Sequence, residues 1–238
     1  MRPEPGPALS ATLVVLAFAT GAVEAVSFLA LGPVFTAMQT GNVLFLGFAV
    51  AGEGGLSPAV AAVSLAGFAL GAVAGSTVES AVDARGRRWF VAALAGEAVL
   101  LGLAVLVAWR AGVEATGGPL AGPHFAVIAL VACAMGVRNV TMLRVHVPDM
   151  PTTVATRAMA GLFGGLPFAL DTRTPSGARA EGRRVVSVGA MFAGALAGAW
   201  LLRQSVHPAV VLAVPAALTL VLGLGFWMAP GARTSEPG

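Results

Sequence analysis

The sequence contains no lysine and no tyrosine, and it has one cysteine among its 238 residues. Only 11% of the residues are charged, against about a quarter in a typical soluble domain. So few charges cannot cover a water-exposed surface, which excludes an ordinary soluble protein. The lone Cys133 excludes an internal disulfide and a cysteine-rich metal site, and we predict neither a metal nor a cofactor.

Every basic side chain apart from three histidines is arginine, and the formal net charge is +3. The arginines lie between apolar runs and do not form one stripe, so we predict no nucleic-acid partner. They are better understood as determinants of membrane topology. The sequence also lacks a GxSxG elbow, a Walker loop and an HExxH pair, so we predict no enzymatic activity.

Hydrophobic residues make up 57% of the chain, and the mean hydropathy is +0.86. A spanning helix needs about 20 mostly apolar residues. Six stretches meet this requirement: residues 8–31, 57–82, 89–109, 124–147, 185–202 and 208–228. The first could be a signal peptide cleaved after Ala25, but its apolar run exceeds the usual ~7–15 residues. We therefore predict a retained first span.

Two further segments, residues 33–52 and 151–170, are apolar but contain threonines, Gly and Pro. We call them the Thr segments. We predict the lipid bilayer as the partner of this chain. The Arg-rich loops 83–88 and 171–184 should both be cytoplasmic under the positive-inside rule. The two loops lie on the same side of the membrane only if the second Thr segment does not cross the bilayer. We predict six spans with neither segment crossing, and seven if only the first crosses.

The predicted fold class is thus an all-α, polytopic helical membrane bundle, formed as a single domain from residues 1–238. The halves 8–109 and 124–228 resemble each other weakly. Gly21, Glu24, Pro33, Thr40, Gly67 and Gly71 align with Gly136, Asn139, Pro148, Thr156, Gly194 and Gly198. Three spans per half would make this an inverted repeat, as in many transporters, whereas coincidence is the alternative in a chain rich in Ala, Gly and Val.

Four polar residues lie deep inside predicted spans: Glu24, Glu97, Arg138 and Asn139. An ionisable group at the bilayer centre costs about 2.5–3.5 kcal/mol on insertion scales, so such groups usually face the bundle interior. The functional hypothesis is an ion or proton relay. The structural hypothesis is an ion pair, for example between Glu24 and Arg138, that fixes the helix register. Glu97 lies nearer the interface, which favours a structural role.

The first Thr segment holds the densest polar cluster at membrane depth: Thr36, Gln39, Thr40, Gly41 and Asn42. Thr40 or Asn42 could cap a following helix over residues 43–50. Alternatively, the segment is a half-helix whose N-terminal N–H groups bind an anion or a polar solute. The second half offers a matching cluster with Arg157 in the place of Gly41. Its threonines are Thr152, Thr153 and Thr156.

Gly67, Gly71 and Gly75 repeat every four residues on one helix face. Small residues at this spacing let two helices approach closely in a membrane. We expect this face to pack inside the bundle, and a homo-oligomer formed through it is the alternative.

The stretch 21–47 resembles the YoaK family of bacterial membrane proteins, a domain of unknown function. The residues that match its first motif are Glu24, Phe35, Gln39, Thr40, Gly41 and Asn42, and in the second half Gly136, Asn139, Asp149, Thr152, Thr153 and Thr156. The family more often has Asp at Glu24, Gln at Arg138 and Gly at Arg157. The resemblance implies a multi-pass protein of the bacterial plasma (inner) membrane, and it implies no activity.

Two functions of different classes follow. The first is a small-solute or ion transporter or channel with a polar site, and the second is a membrane scaffold whose polar residues only hold helices together. An intramembrane enzyme is a third hypothesis. The predicted pathway residues are Glu24, Gln39, Thr40, Asn42, Arg138, Asn139 and Thr156.

Overall fold

The computed structural model describes residues 6–52, 55–114, 120–145, 159 and 178–229. Within these residues the chain forms seven principal helices and no strand. The helices are α1 (Pro7–Ala30), α2 (Gln39–Val50), α3 (Pro58–Ala84), α4 (Trp89–Arg110), α5 (Gly122–Val145), α6 (Ala178–Arg203) and α7 (Pro208–Met228). All but α2 are long and apolar enough to cross a membrane. The predicted all-helical membrane bundle with six spans is confirmed.

The helix ends follow from local sequence signals. Proline begins α1, α3 and α7, where its missing N–H is not needed. Gly86 has a positive φ of 67° in the tight turn between α3 and α4. Five observed spans begin and end within two residues of the prediction, whereas α6 begins seven residues earlier than predicted. Its first turns carry Arg179, Arg183 and Arg184, which lowered the local hydropathy below that of a span.

Contacts of glycine residues show the relative direction of two helix pairs. Gly67 lies against Ala129 and Gly75 against Val137, so α3 and α5 run parallel. In the same way Gly194 lies against Phe18 and Gly198 against Ala22 and Ala25, so α1 and α6 run parallel. Each contact brings a glycine to the partner's backbone, which is the close approach that small residues permit.

Arginine contacts identify which helix ends lie together. Arg88, at the start of α4, donates to the carbonyl oxygens of Phe226 (2.8 Å) and Trp227 (3.0 Å) at the end of α7. Arg144, at the end of α5, pairs with Asp83 at the end of α3. We call this side of the bundle the Arg end. Because α6 and α7 are joined by a short turn, α6 also begins at the Arg end, and α1 begins there with it.

The chain therefore leaves α1 at the opposite end and enters α3 at that same end, so the first Thr segment does not cross the bundle. Likewise α5 finishes and α6 begins at the Arg end, which brings the turn 85–88 and residues 178–184 to one side. This agrees with the predicted six-span arrangement. The second Thr segment, apart from Met159, lies outside the described residues.

The two halves are related as an inverted repeat, because α1 and α5 are equivalent but run in opposite directions. Gly71 meets the carbonyl of Cys133 as Gly194 meets that of Phe18. In this repeat, Cys133 on α5 corresponds to Phe18 on α1, and Gly194 on α6 corresponds to Gly71 on α3. The predicted alignment of Gly67 with Gly194 was therefore wrong by one helical turn, because four-residue glycine spacing aligns equally well one turn apart.

Candidate functional site

The first Thr segment forms a re-entrant turn at the end opposite the Arg end. Glu24 lies six residues before α1 ends at Ala30, about 9 Å along the helix. Its carboxylate contacts the backbone of Thr36 and Ala37, so residues 31–38 descend to that depth before α2 rises again. Irregular backbone at membrane depth is tolerated only where protein or a watery cavity surrounds it. Here the surrounding groups are α1 and α3.

Glu24 is the acceptor at the bottom of this turn. Its carboxylate accepts hydrogen bonds from the backbone N–H of Thr36 (3.0 Å), the hydroxyl of Thr36 (3.2 Å) and the backbone N–H of Ala37. Thr36 also bonds to Ser27 on α1 at 3.0 Å. Glu24 is 5% exposed, and among the described residues no cationic side chain contacts it. The carboxylate is therefore held by neutral donors just before the N-terminus of α2, where a negative charge is favoured.

Asn42 closes the turn with a side-chain clamp on Phe35. Its Oδ1 accepts from the backbone N–H of Phe35 (3.0 Å), and its Nδ2 donates to the Phe35 carbonyl. The hydroxyl of Ser64 on α3 donates to the same carbonyl at 2.7 Å. A Cβ on Gly41 would lie 2.8 Å from the Phe35 ring, so a larger residue there would have to displace the ring. The Phe35 ring stacks between Phe28 and Phe45, with centroid distances of 5.2 and 5.8 Å.

This geometry corrects the predicted cap. Helix α2 begins at Gln39, four residues earlier than the predicted helix, and its first turn has no side-chain cap. Asn42 lies inside the helix and binds backwards to the turn. Gln39 is half-buried and donates to the Thr36 carbonyl (2.7 Å) and the Ser64 hydroxyl (3.2 Å). Thr40 is exposed on the outside of the first turn.

Arg138 forms a second buried network nearer the bundle centre. Its guanidinium forms an ion pair with Glu97 on α4 and donates to Thr20 (2.7 Å) and the Leu16 carbonyl (3.0 Å) on α1. Thr219 on α7 donates to Glu97 at 3.0 Å. Both charged side chains are almost fully buried. The network joins helices from both halves of the repeat.

The predicted pair between Glu24 and Arg138 is therefore wrong. Arg138 reaches Thr20, one turn of α1 nearer the Arg end than Glu24, and its charge is neutralised by Glu97. The structural role expected for Glu97 agrees with this pairing. The sequence places Glu24 and Arg138 in two different spans, but it does not give their relative positions along the membrane normal.

Asn139 follows Arg138 and donates to the carbonyl of Met135 at 3.1 Å. In the inverted repeat it occupies the position that Glu24 has in the first half. Thr156, the last predicted pathway residue, lies outside the described residues, as do Thr152 and Thr153. The structure therefore brings Glu24, Gln39 and Asn42 together and places Arg138 in a separate network.

A third polar group, at the Arg end, was not predicted. Thr141 on α5 donates to Glu79 on α3, and Arg144 pairs with Asp83 while its guanidinium lies 4.5 Å above the Trp89 ring. A signal was present, because Glu79 continues the four-residue spacing of Gly67, Gly71 and Gly75 and so had to face the same partner helix.

The glycine face of α3 packs inside the bundle. A Cβ at Gly71 would lie 2.0 Å from the carbonyl oxygen of Cys133, and one at Gly67 would lie 2.8 Å from that of Ala129. Gly75 is similarly close to Val137. This agrees with internal packing, and the face is thus occupied within one chain. Formation of a homo-oligomer stays a prediction, which now requires another surface.

A cavity of about 440 Å³, which we call the outer cavity, opens at the end opposite the Arg end. Its lining includes Phe28 and Pro33 beside the re-entrant turn, Glu114 and Leu120 from the connection between α4 and α5, and His124 from the first turn of α5. Phe28 is one turn of α1 beyond Glu24, about 6 Å along the axis. The cavity therefore lies directly outside the turn that holds Glu24.

The model of a family described as protein of unknown function DUF1275 matches residues 12–225. The chain belongs to this family. The match in this DUF1275 protein includes the whole re-entrant turn, the Arg138 network and both halves of the repeat. The narrower resemblance to YoaK stays a prediction. No curated protein and no solved structure matches the chain.

Proposed function

We propose that this DUF1275 protein is a small-solute or ion transporter or channel, with a pathway that runs from the outer cavity to Glu24. The observation that carries this proposal is a buried carboxylate held at membrane depth by the backbone of a re-entrant turn. Ionisable residues inside a membrane usually mark ion or substrate pathways. Broken helices within inverted repeats are where many transporters bind their substrates.

The bonding of Glu24 supports a gating role. A carboxylate accepts hydrogen bonds from the N–H groups of Thr36 and Ala37 most strongly when it is ionised. A proton or cation arriving at Glu24 weakens this attraction and releases residues 31–38. Movement of the turn then connects the outer cavity with the bundle interior.

The other predicted residues divide into two groups. Gln39 and Asn42 position the turn, because their side chains bind its backbone and Ser64. Thr40, Asn139 and Thr156 remain pathway candidates, with Asn139 as the counterpart of Glu24 in the second half. Arg138 acts through Glu97 and fixes the contact between the halves.

We further propose that the protein lies in a bacterial plasma (inner) membrane, as its resemblance to YoaK proteins implies. We also propose that it has no enzymatic activity. The Arg end faces the cytoplasm under the positive-inside rule. Single cysteines introduced at the exposed residues 87 and 111, in a Cys133→Ser background, should differ in labelling by an impermeant maleimide added to intact cells. Labelling is expected at residue 111 and not at residue 87, and the opposite result would reverse the orientation.

The transport proposal is tested with cells that contain or lack the protein. An untargeted comparison of their metabolites identifies solutes whose level depends on the protein. Uptake of those solutes is then measured with Glu24→Gln, which should abolish it while the thermal unfolding temperature in detergent changes little. Glu181→Gln, at the Arg end, is the matched control and should transport normally.

The scaffold alternative gives a different result. If Glu24→Ala and Asn42→Ala both unfold the protein in detergent, and Glu24→Gln leaves every solute level unchanged, the polar residues are structural only. A folded Glu24→Gln variant with normal uptake would likewise overturn the assignment of Glu24 to the pathway.

A further inference from the structure

The outer cavity is partly open, and its volume is that of a small-molecule site. Its volume of about 440 Å³ lies within the usual range for ligand pockets, about 300–1,000 Å³. Its lining combines the aromatic ring of Phe28 and the apolar Pro33 and Leu120 with two polar side chains, Glu114 and His124. Such a mixture binds a ligand that has both an apolar and a polar part.

The charge of this lining is negative. Glu114 supplies a carboxylate, and no arginine is among the described lining residues. His124 accepts a hydrogen bond at Nδ1 from the backbone N–H of Ala121 at 3.2 Å. Glu114 is therefore the acidic group of the described lining.

The side chains below the cavity also include a carboxylate, that of Glu24. The arginines inside the bundle are already paired, Arg138 with Glu97 and Arg144 with Asp83. Glu24, one turn below Phe28, is held by neutral donors alone. An aromatic ring such as that of Phe28 also attracts a cation to its face. The cavity and the proposed path from it to Glu24 thus offer two carboxylates and an aromatic ring to a cation.

We propose that the outer cavity binds a small organic cation, an ammonium group with an apolar portion, as the solute that the transporter takes up. The ammonium lies near Glu114 and Phe28, and the apolar portion lies against Pro33 and Leu120. This inference rests on the transport function proposed above. Its test measures binding rather than transport, so the two proposals fail separately.

Three probes of matched shape but different charge test this directly. Choline is the cation, 3,3-dimethyl-1-butanol is its neutral isostere, and 3,3-dimethylbutyrate is the anion. Binding of each to the full chain in lipid nanodiscs is measured by titration calorimetry. Choline should bind at least about tenfold more tightly than the neutral isostere, a difference of about 1.4 kcal/mol. The anion should bind more weakly than either.

Variants then assign the binding to the cavity. Glu114→Gln should weaken choline binding about fivefold, the effect of a partly exposed charge pair, and leave the neutral probe unchanged. Glu181→Gln, at the Arg end, should bind choline as the unmodified protein does. Equal binding of all three probes, preference for the anion, absence of choline binding at about 100 mM, or an unchanged Glu114→Gln variant would each overturn the proposal. Selective choline binding without protein-dependent uptake would leave this site in place and refute transport.

Discussion

Glu24 and Glu97 are both buried carboxylates in the first half of the chain, but they are compensated in different ways. Glu97 is paired with the guanidinium of Arg138, which belongs to the second half. Glu24 is held by backbone N–H groups and a hydroxyl from its own half. The first arrangement is a charge pair that joins two halves, whereas the second is a buried carboxyl group bound within a local turn. Stability is therefore expected to depend on Glu97, and function on Glu24.

The largest expected effect is at the charge pair. Arg138→Leu leaves Glu97 buried without its cation, which costs about 3–5 kcal/mol and should prevent accumulation of folded protein. Combining it with Glu97→Leu removes the uncompensated charge and should restore much of the loss. Thermal unfolding in detergent measures both variants. Equal destabilisation of the single and double variants would show that the pair itself, and not the orphaned charge, dominates.

The glycine contacts provide the next largest effect and test the repeat. A Cβ at Gly71 or at its counterpart Gly194 would lie about 2 Å from a carbonyl oxygen of the partner helix. Each alanine substitution should separate a helix pair and cost about 1–3 kcal/mol. Gly47→Ala, whose added Cβ meets nothing within 4 Å, is the control and should not lower the unfolding temperature, because alanine also favours a helix over glycine. If Gly194→Ala leaves the unfolding temperature unchanged, the two halves are not equivalent at this contact.

Asn42→Ala tests the clamp on the re-entrant turn. It leaves the buried backbone N–H of Phe35 without its acceptor, at a cost of about 1–3 kcal/mol. Because the clamp is local, hydrogen exchange should accelerate in residues 31–50 and stay unchanged around Arg138. Uniform acceleration along the chain would contradict a local role.

The smallest stability effect is expected for Glu24→Gln. The amide keeps one oxygen that accepts from Thr36 or Ala37 and loses only the charge-assisted part of each bond, about 1 kcal/mol in total. The unfolding temperature in detergent should fall by less than it does for Asn42→Ala. A fall as large as that of Arg138→Leu would place Glu24 with Glu97 as a structural carboxylate and remove the distinction between them.

Much of this architecture could be predicted because a membrane restricts the chain to apolar helices. Hydropathy located the six spans, and the arginines placed both loops on one side. The sequence also identified Glu24, Gln39, Asn42 and Arg138 as polar groups that lie within the bundle. It could not identify their partners, because helix heights differ by whole turns that residue spacing does not reveal. Thr20, Ser64 and Thr219 were missed since a single hydroxyl in an apolar run gives no distinctive pattern.

The parallel packing of α1 on α6 has a consequence for biosynthesis. The backbone that Gly194 touches is at Phe18, so the surface that covers the first helix leaves the ribosome only after α3, α4 and α5 have been made. At about 5–20 residues per second, that helix waits roughly ten seconds or longer before its neighbour exists. During this interval the insertion machinery or lipid must shelter it, and a nascent chain truncated before α6 should be a target for membrane proteases.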